Sequence, residues 1–212
     1  MQEHKPLTQF VYESLYADVI NGVLTPNDIL SENALTERFS VSKSPVREAL
    51  VSLCDDGVLR SIPRVGYKVV QITPAEVRHL EEARCALETF MLRRSFPSIG
   101  QREIVLLRQH VTALLNIGPP ASRYEAWRRN SGFHLQLASY SGNPYMCGLL
   151  DRTLRNCAQA AGQHFSGEHA DRNMDGRNHL RLIAALEARD LPLALSLLEQ
   201  DARQIGSELQ FP

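Results

Sequence analysis

The sequence has 212 residues, of which 43% are hydrophobic and 22% are charged, and its formal net charge is −1. These values are ordinary for a soluble globular protein, and the length suffices for one large domain or two modest ones. No apolar run approaches the roughly 20 residues that cross a bilayer, and the first residues lack a signal pattern, so we expect a cytosolic protein with no membrane partner.

The first third of the chain changes its hydrophobic period several times. Pro45 is compatible with a helix only in the first turn, and Gly57 is a natural residue to follow a helix end. Two β-prone runs then flank a turn that contains proline and glycine. The predicted elements are helices over 7–20, 32–39 and 43–56 and strands over 58–62 and 67–70. Three helices and a hairpin predict a winged helix-turn-helix over residues 1–72.

Small hydroxyls and cations cluster at the start of the third helix, which is the second helix of the turn pair. That end of a recognition helix enters the major groove of DNA, and arginine can fork onto a guanine edge. The wing tip suits a close approach to a minor groove. The candidate DNA-binding residues are Ser42, Lys43, Ser44, Arg47, Arg64 and Gly66. The alternative is a helical hairpin with an ordinary solvated, charged face.

After Ile72 the strand signals end and helical patterns follow. Thr73 and Glu76 form a predicted capping box with Pro74 at the first helical position, and Ser122 and Glu125 form a second predicted box. The predicted helices are 74–94, 99–117, 123–141, 144–165, 174–189 and 192–209, with a loop over 166–173. The pattern therefore indicates an all-α bundle over residues 73–212.

Arg84 lies on the apolar stripe of the first helix of this bundle. A charge in such a position is unfavourable unless it is paired. Glu88, one turn later, is one possible partner. The other possibility, which we favour, is that Arg84 forks the carboxylate of a bound ligand.

Three other helices of the bundle also carry polar groups on their apolar faces. His179 and Asp201 are each eleven residues from the predicted turn at Asp190, so an antiparallel hairpin places them side by side. Asn130 and His134 are spaced i, i+4 on a third helix. Two imidazoles, a carboxylate and an amide oxygen suit a divalent transition metal such as zinc, nickel or manganese. The alternative is a buried hydrogen-bond network without a metal.

The segment Val41-Ser42-Lys43-Ser44-Pro45-Val46-Arg47-Glu48-Ala49-Leu50 resembles the signature of GntR-type regulators, usually V-S-R-T-P-V-R-E-A-L. Lys43 stands where the family has arginine and Ser44 where it has threonine. The resemblance implies that a homodimer binds a palindromic DNA operator.

The second domain resembles FCD, the C-terminal ligand domain of the FadR-like branch of this family. His134 and His179 match two metal-ligand positions of that domain, while Asn130 stands for the usual aspartate and Asp201 for the usual last histidine. Asn156 is a further candidate for the effector cavity, beside Arg84.

These patterns predict a non-enzymatic regulator, most simply a repressor that a small organic acid releases from DNA by binding at the metal. One alternative is a sensor of the same architecture in which the four polar groups bind the effector without metal. Another is a metal-dependent hydrolase, since two histidines and an aspartate on a metal can activate water.

Overall fold

The computed structural model describes residues 7–164 and 177–203. Within these residues the chain forms nine α-helices and three short strands. Contacts between residues divide the chain into two units, Met1–Ile72 and Thr73–Pro212, which are called the N-terminal unit and the helical unit below. The predicted mainly α architecture, with a small β wing in the first unit, is confirmed.

The N-terminal unit combines three helices with a small sheet. Strand β3 lies between β1 and β2 and pairs antiparallel with both. The predicted hairpin is therefore present, whereas β1 was not predicted because two residues are too few to show a strand period. The elements are α1 (Leu7–Ile20), β1 (Ile29–Leu30), α2 (Glu32–Phe39), α3 (Lys43–Asp55), β2 (Leu59–Ile62) and β3 (Gly66–Val69).

The core of this unit is apolar and lies mainly between α1 and α3, which pack against each other. Their spacing places apolar residues on one side of each helix at i, i+3 and i+4. Fully buried members of these two helices are Val11, Leu15, Ile20, Val46, Ala49, Leu50 and Leu53. The opposite side of α3 is thereby left exposed.

Gly66 opens β3 opposite Ile62 and has a φ of 141°, a backbone conformation that side chains with a Cβ rarely adopt. A Cβ at this position would lie 2.3 Å from the carbonyl oxygen of Leu30. The close contact with β1 therefore requires glycine, independently of any role at DNA.

The helical unit begins at the predicted capping box. Thr73 accepts a hydrogen bond from the Glu76 backbone N–H, and the Glu76 carboxylate accepts one from the Thr73 N–H. The second predicted box is half formed, because Ser122 accepts from the Glu125 N–H while the Glu125 carboxylate binds the N–H of Ala121. The helices are α4 (Pro74–Ser95), α5 (Gln101–Ile117), α6 (Arg123–Ser139), α7 (Pro144–His164), α8 (Arg177–Glu187) and α9 (Leu191–Ala202).

Helix α4 is central to this unit because it packs against α6, α7 and α9. Helices α8 and α9 form a hairpin, in which the Asp190 side chain caps α9 by accepting from the Leu193 N–H. The predicted loop over 166–173 and the predicted ends of the last two helices, 174–176 and 204–209, lie outside the described residues. None of the helices in the described part of the chain has both the length and the apolarity to cross a membrane.

Candidate functional site

The start of α3 presents polar side chains at the surface. Ser42, Lys43, Ser44 and Arg47 are exposed, while Val46 on the other side of the same turn is buried. The buried residues fix which side of the helix faces solvent. All four predicted DNA-binding residues of this helix are therefore accessible, and their contact with DNA stays a prediction.

The turn between β2 and β3 carries the two remaining DNA-binding candidates. Arg64 is exposed and has a φ of 64°, which is uncommon for a residue with a side chain. Gly66 follows two residues later, at the start of β3. The turn thus presents Arg64 outward, while the conformation of Gly66 is set by the strand pairing.

Carboxylates hold two of the exposed groups on α3. Arg47 donates from Nε and Nη2 to the two carboxylate oxygens of Glu32, over 3.1 and 2.8 Å. Ser44 Oγ donates to Glu48 over 2.8 Å, and Thr8 of α1 donates to the same carboxylate. Ser42 is the N-cap residue of α3, but its side chain makes no capping hydrogen bond.

Inside the helical unit, five ionisable side chains meet away from solvent. Helix α4 supplies Arg84 and Glu88, α6 supplies His134, α8 supplies His179 and α9 supplies Asp201. Their exposed fractions run from 1% for Arg84 and His134 to 9% for Asp201. We call these five residues the buried cluster.

Arg84 is the centre of the buried cluster. Its Nη2 donates to Asp201 Oδ2 over 2.5 Å and lies 2.8 Å from His134 Nε2, and its Nε donates to Glu88 Oε1 over 2.6 Å. Burial by itself would lower the pKa of Arg84, but the carboxylates of Glu88 and Asp201 raise it above its usual value. Arg84 is therefore a permanent internal cation.

Glu88 determines how His134 is protonated. Burial would raise the pKa of Glu88, but the neighbouring His134 and Arg84 hold it below its usual value, so the carboxylate only accepts hydrogen bonds. His134 Nδ1, 2.6 Å from Glu88 Oε2, must therefore carry a proton. In the neutral ring, the lone pair is then on Nε2. Such a carboxylate–histidine pair commonly orients a metal-ligating histidine.

His134 Nε2 faces two further groups. It lies 3.3 Å from His179 Nε2 and 3.0 Å from Asp201 Oδ2. One ligand atom from each of the three residues lies within 4.8 Å of the others. The sequence prediction that His179 and Asp201 lie close together across the α8–α9 turn is confirmed.

The donor set and its charge fit a divalent transition metal. Burial and the nearby His134 lower the pKa of His179 to about 3, so this imidazole is neutral and carries a lone pair on one ring nitrogen. Burial would raise the pKa of Asp201, but Arg84 and His134 keep it ionised. With His134 neutral, two carboxylates face one guanidinium, which leaves an excess of one negative charge for a cation to balance.

The proton and the Arg84 guanidinium compete with a metal for the same atoms. Burial lowers the pKa of His134, but the carboxylates of Glu88 and Asp201 together outweigh burial, and the net shift is upward, toward the protonated ring. A protonated His134 donates to both Glu88 and Asp201. Metal ligation at Nε2 therefore requires loss of this proton and retreat of Arg84 Nη2 from Nε2 and Asp201.

The two asparagines among the predicted site residues are not members of the buried cluster. Asn130 is buried on α6, one helical turn before His134, where it remains a candidate fourth ligand. Asn156 is partly buried on α7, and its Oδ1 is buried without a hydrogen-bond partner in the part of the chain that the structure describes. Its predicted effector contact stays a prediction.

Sequence reasoning missed two contacts of the buried cluster. The sequence indicates Glu88 only as a partner of Arg84, yet it also binds His134. Phe133 stacks on the His179 ring, with the ring centroids 3.9 Å apart and the planes at 14°. The i, i+4 spacing of Arg84 and Glu88 indicated a shared face, but it did not show which helix packs against that face.

Both units match known protein families. The model of the gntR family of bacterial regulatory proteins matches residues 7–69, and the model of the FCD domain matches residues 79–203. The second match alone covers more than half of the chain.

Individual relatives cover nearly the whole length. The gluconate operon transcriptional repressor of Bacillus licheniformis is 40% identical over 203 residues, which cover 91% of this chain and 80% of that protein. The HTH-type transcriptional repressor RspR of Escherichia coli K12 is 26% identical over 97% of this chain and 90% of its own. Among solved structures, E. coli McbR/YncC has a TM-score of 0.74 at 20% identity, with 94% of this chain and 95% of that chain covered, and therefore shares the fold.

Proposed function

Because the chain belongs to the gntR family of bacterial regulatory proteins and carries an FCD domain, we propose that it is a metal-dependent, acid-responsive repressor. A small organic acid bound in the helical unit releases it from a palindromic operator. The two relatives described above are named as repressors, and one of them is named for the operon of gluconate, a carboxylic acid.

The observation that carries this proposal is the buried cluster. It combines a basic side chain with three potential metal ligands in the interior of a helical unit, where a large partner has no access. When bound there, zinc, nickel or manganese supplies concentrated positive charge that attracts a carboxylate. His134, His179 and Asp201 would hold it, with Asn130 as the fourth candidate.

The surrounding residues would prepare the cluster for this ligand. Glu88 keeps the His134 lone pair on Nε2, and the Phe133 ring fixes the plane of His179. Arg84 donates from Nε to Glu88, and its Nη2 contacts Asp201 and His134, so among the described contacts the two N–H groups of Nη1 remain to bind the acid. Phe133 also belongs to an apolar core with residues of α5, α8 and α9, so this core adjoins the buried cluster.

Regulation requires the acid to bind one arrangement of the DNA-binding units better than another. Two copies of the N-terminal unit in a homodimer would contact two operator half-sites. A ligand shifts this equilibrium only by the difference between its affinities for the two arrangements. The family consists of transcription regulators, so we propose no enzymatic reaction.

Metal analysis tests the proposed site directly. We expect about one divalent ion per chain in protein purified without chelator or metal-affinity steps, and none in His134→Ala/His179→Ala. Arg108→Ala is the control, because Arg108 forms an exposed pair with Glu187 in the same unit. An absence of metal in the unaltered protein after incubation with zinc, nickel and manganese would contradict the proposal.

A metal-free sensor is the second candidate. It is favoured by one observation: Arg84 Nη2 already contacts Asp201 and His134, two of the three potential metal ligands. In this case organic acids raise the thermal unfolding temperature equally with and without EDTA. For the metal site, EDTA abolishes that increase.

A further inference from the structure

Glu32, on α2, is not one of the side chains that the sequence indicated for DNA contact. Yet it holds Arg47 of α3 through two parallel hydrogen bonds, with Nε–Oε1 at 3.1 Å and Nη2–Oε2 at 2.8 Å. Arg47 lowers the pKa of Glu32 below its usual value, and the nearby Tyr67 of β3 adds a smaller lowering. The Glu32 carboxylate thus links the first helix of the turn pair to the second, with the wing close by.

The exposure of this pair argues against a role in folding. The Arg47 side chain is 62% exposed and that of Glu32 is 24% exposed. Ion pairs of this kind contribute little to the free energy of unfolding, because water screens them and two long side chains must be ordered. The pair is better explained by its effect on Arg47, because the two hydrogen bonds fix a side chain that has many rotamers when free.

The geometry leaves Arg47 able to contact a base. A guanidinium has five N–H groups, and Glu32 takes one on Nε and one on Nη2. Three remain, on Nη1 and Nη2, and a guanine edge accepts two. Glu32 therefore holds the guanidinium from one edge while the other edge points away from the carboxylate.

We propose that Glu32 is a positioning residue for DNA sequence readout, which acts by holding Arg47 in the orientation that contacts a base edge. This inference rests on DNA binding by the N-terminal unit and does not involve the metal or the acid. It requires a negative charge close to the DNA-facing helix, which by itself weakens binding to any DNA.

The Glu32 charge is thus expected to improve base readout while weakening binding to any DNA, and Glu32→Gln tests both effects. The probe is a duplex selected by the unaltered full-length protein from a randomised library, compared with a scrambled duplex of the same length. We expect the ratio of the two affinities to fall by about tenfold, because one base contact loses its geometry. Affinity for the scrambled duplex is expected to stay equal or to rise, since a negative charge is removed.

Glu37→Gln is the matched control, since Glu37 is an exposed residue of the same helix and its replacement removes the same charge. We expect this variant to leave the affinity ratio unchanged. The proposal is overturned if Glu32→Gln strengthens binding to both duplexes equally, or if it strengthens binding to the selected duplex alone. The second result would mean that Glu32 masks Arg47 from DNA.

The Arg47→Ala background separates positioning from a general structural effect. If Glu32 acts through Arg47, adding Glu32→Gln to Arg47→Ala leaves the affinity ratio as it is in Arg47→Ala alone. A further tenfold fall in the double variant would show that Glu32 acts by another route. Loss of affinity for both duplexes together with a lower unfolding temperature would show a structural role and also overturn the proposal.

Discussion

The two units of the chain treat charged side chains in opposite ways. Among the residues that the structure describes, the buried polar and charged side chains all lie in the helical unit, while the core of the N-terminal unit is apolar. The described arginines of the N-terminal unit are exposed, and pairs such as Arg47–Glu32 lie partly in water. The helical unit encloses Arg84 almost completely.

This difference matches two kinds of partner. Exposed charges act on a large polyanion and are screened by salt. Enclosed charges are screened far less, and only a small molecule or ion can reach them. Each prediction below tests whether this division between the units is real, from the largest expected effect to the smallest.

The strongest test removes the internal cation. Arg84→Met leaves the carboxylates of Glu88 and Asp201 buried with only His134 to balance their charge, and breaking such a network lowers the free energy of unfolding by about 3–5 kcal/mol. Urea unfolding can be followed by the fluorescence of Trp127, the single tryptophan, which lies in the helical unit.

Arg108→Met provides the comparison within the same unit. Arg108 pairs with Glu187, but both side chains are more than 40% exposed. Its loss is therefore expected to change the free energy of unfolding by about 0–1 kcal/mol. Similar values for the two variants would remove the distinction between enclosed and exposed charges.

The second test uses pH. His179 has a pKa of about 3 in the folded chain and an ordinary value of 6.5 when unfolded. Below pH 6.5 the unfolded chain binds the proton more readily, so the stability contributed by the neutral ring is lost as pH falls. Between pH 6.5 and pH 5 we expect the unfolding free energy of the helical unit to fall by about 1.5 kcal/mol.

The same measurement on His179→Gln identifies the residue responsible. This variant has no proton to gain at position 179, so its unfolding free energy is expected to be nearly level over that pH range in EDTA. His134 does not oppose the effect there, because its raised pKa gives a contribution that is lost only above pH 6.5. An equal fall in both proteins would refute the assignment to His179.

The third test concerns competition for the metal ligands. Arg84→Met is expected to bind zinc about tenfold more tightly, although it is less stable, because Arg84 Nη2 no longer occupies His134 Nε2 and Asp201 Oδ2. Glu88→Gln is expected to bind zinc about 10–100-fold more weakly, since the His134 ring loses its orienting partner.

Titration against a chromogenic chelator measures both affinities on folded protein. The opposite signs of the two variants are the informative outcome. If both variants weaken zinc binding, Arg84 supports the site and does not compete for its ligands.

The smallest expected effect is on the surface. Lys43→Ala is predicted to weaken binding to selected and scrambled duplexes by the same factor and to reduce the salt dependence, the slope of log K against log salt, by about 1. The Trp127 unfolding curve should not change. A loss confined to the selected duplex would instead mean that Lys43 reads a base.

Much of this architecture could be predicted because it depends on local sequence. The Thr73–Glu76 capping box and the hairpin around residues 63–66 form from neighbouring residues. The proximity of His179 and Asp201 could also be predicted, since two residues at equal distances from the turn of an antiparallel hairpin lie side by side.

What could not be predicted depends on packing between distant helices. The bond from His134 to Glu88 joins residues 46 positions apart, and periodicity does not say which faces meet. The Arg47–Glu32 pair was missed for the same reason. Strand β1 is two residues long and forms because β3 offers it a free edge, which is information outside the segment itself.

The cap of α9 implies that this site is sensitive to residue number as well as residue type. Asp190 and Pro192 define where the helix starts, and Asp201 follows the cap by eleven residues. Because each residue advances an α-helix by roughly 100°, one residue inserted between the cap and Asp201 would turn the carboxylate away from His134. Insertions and deletions in this short segment should therefore be selected against even where substitutions at its exposed positions are accepted.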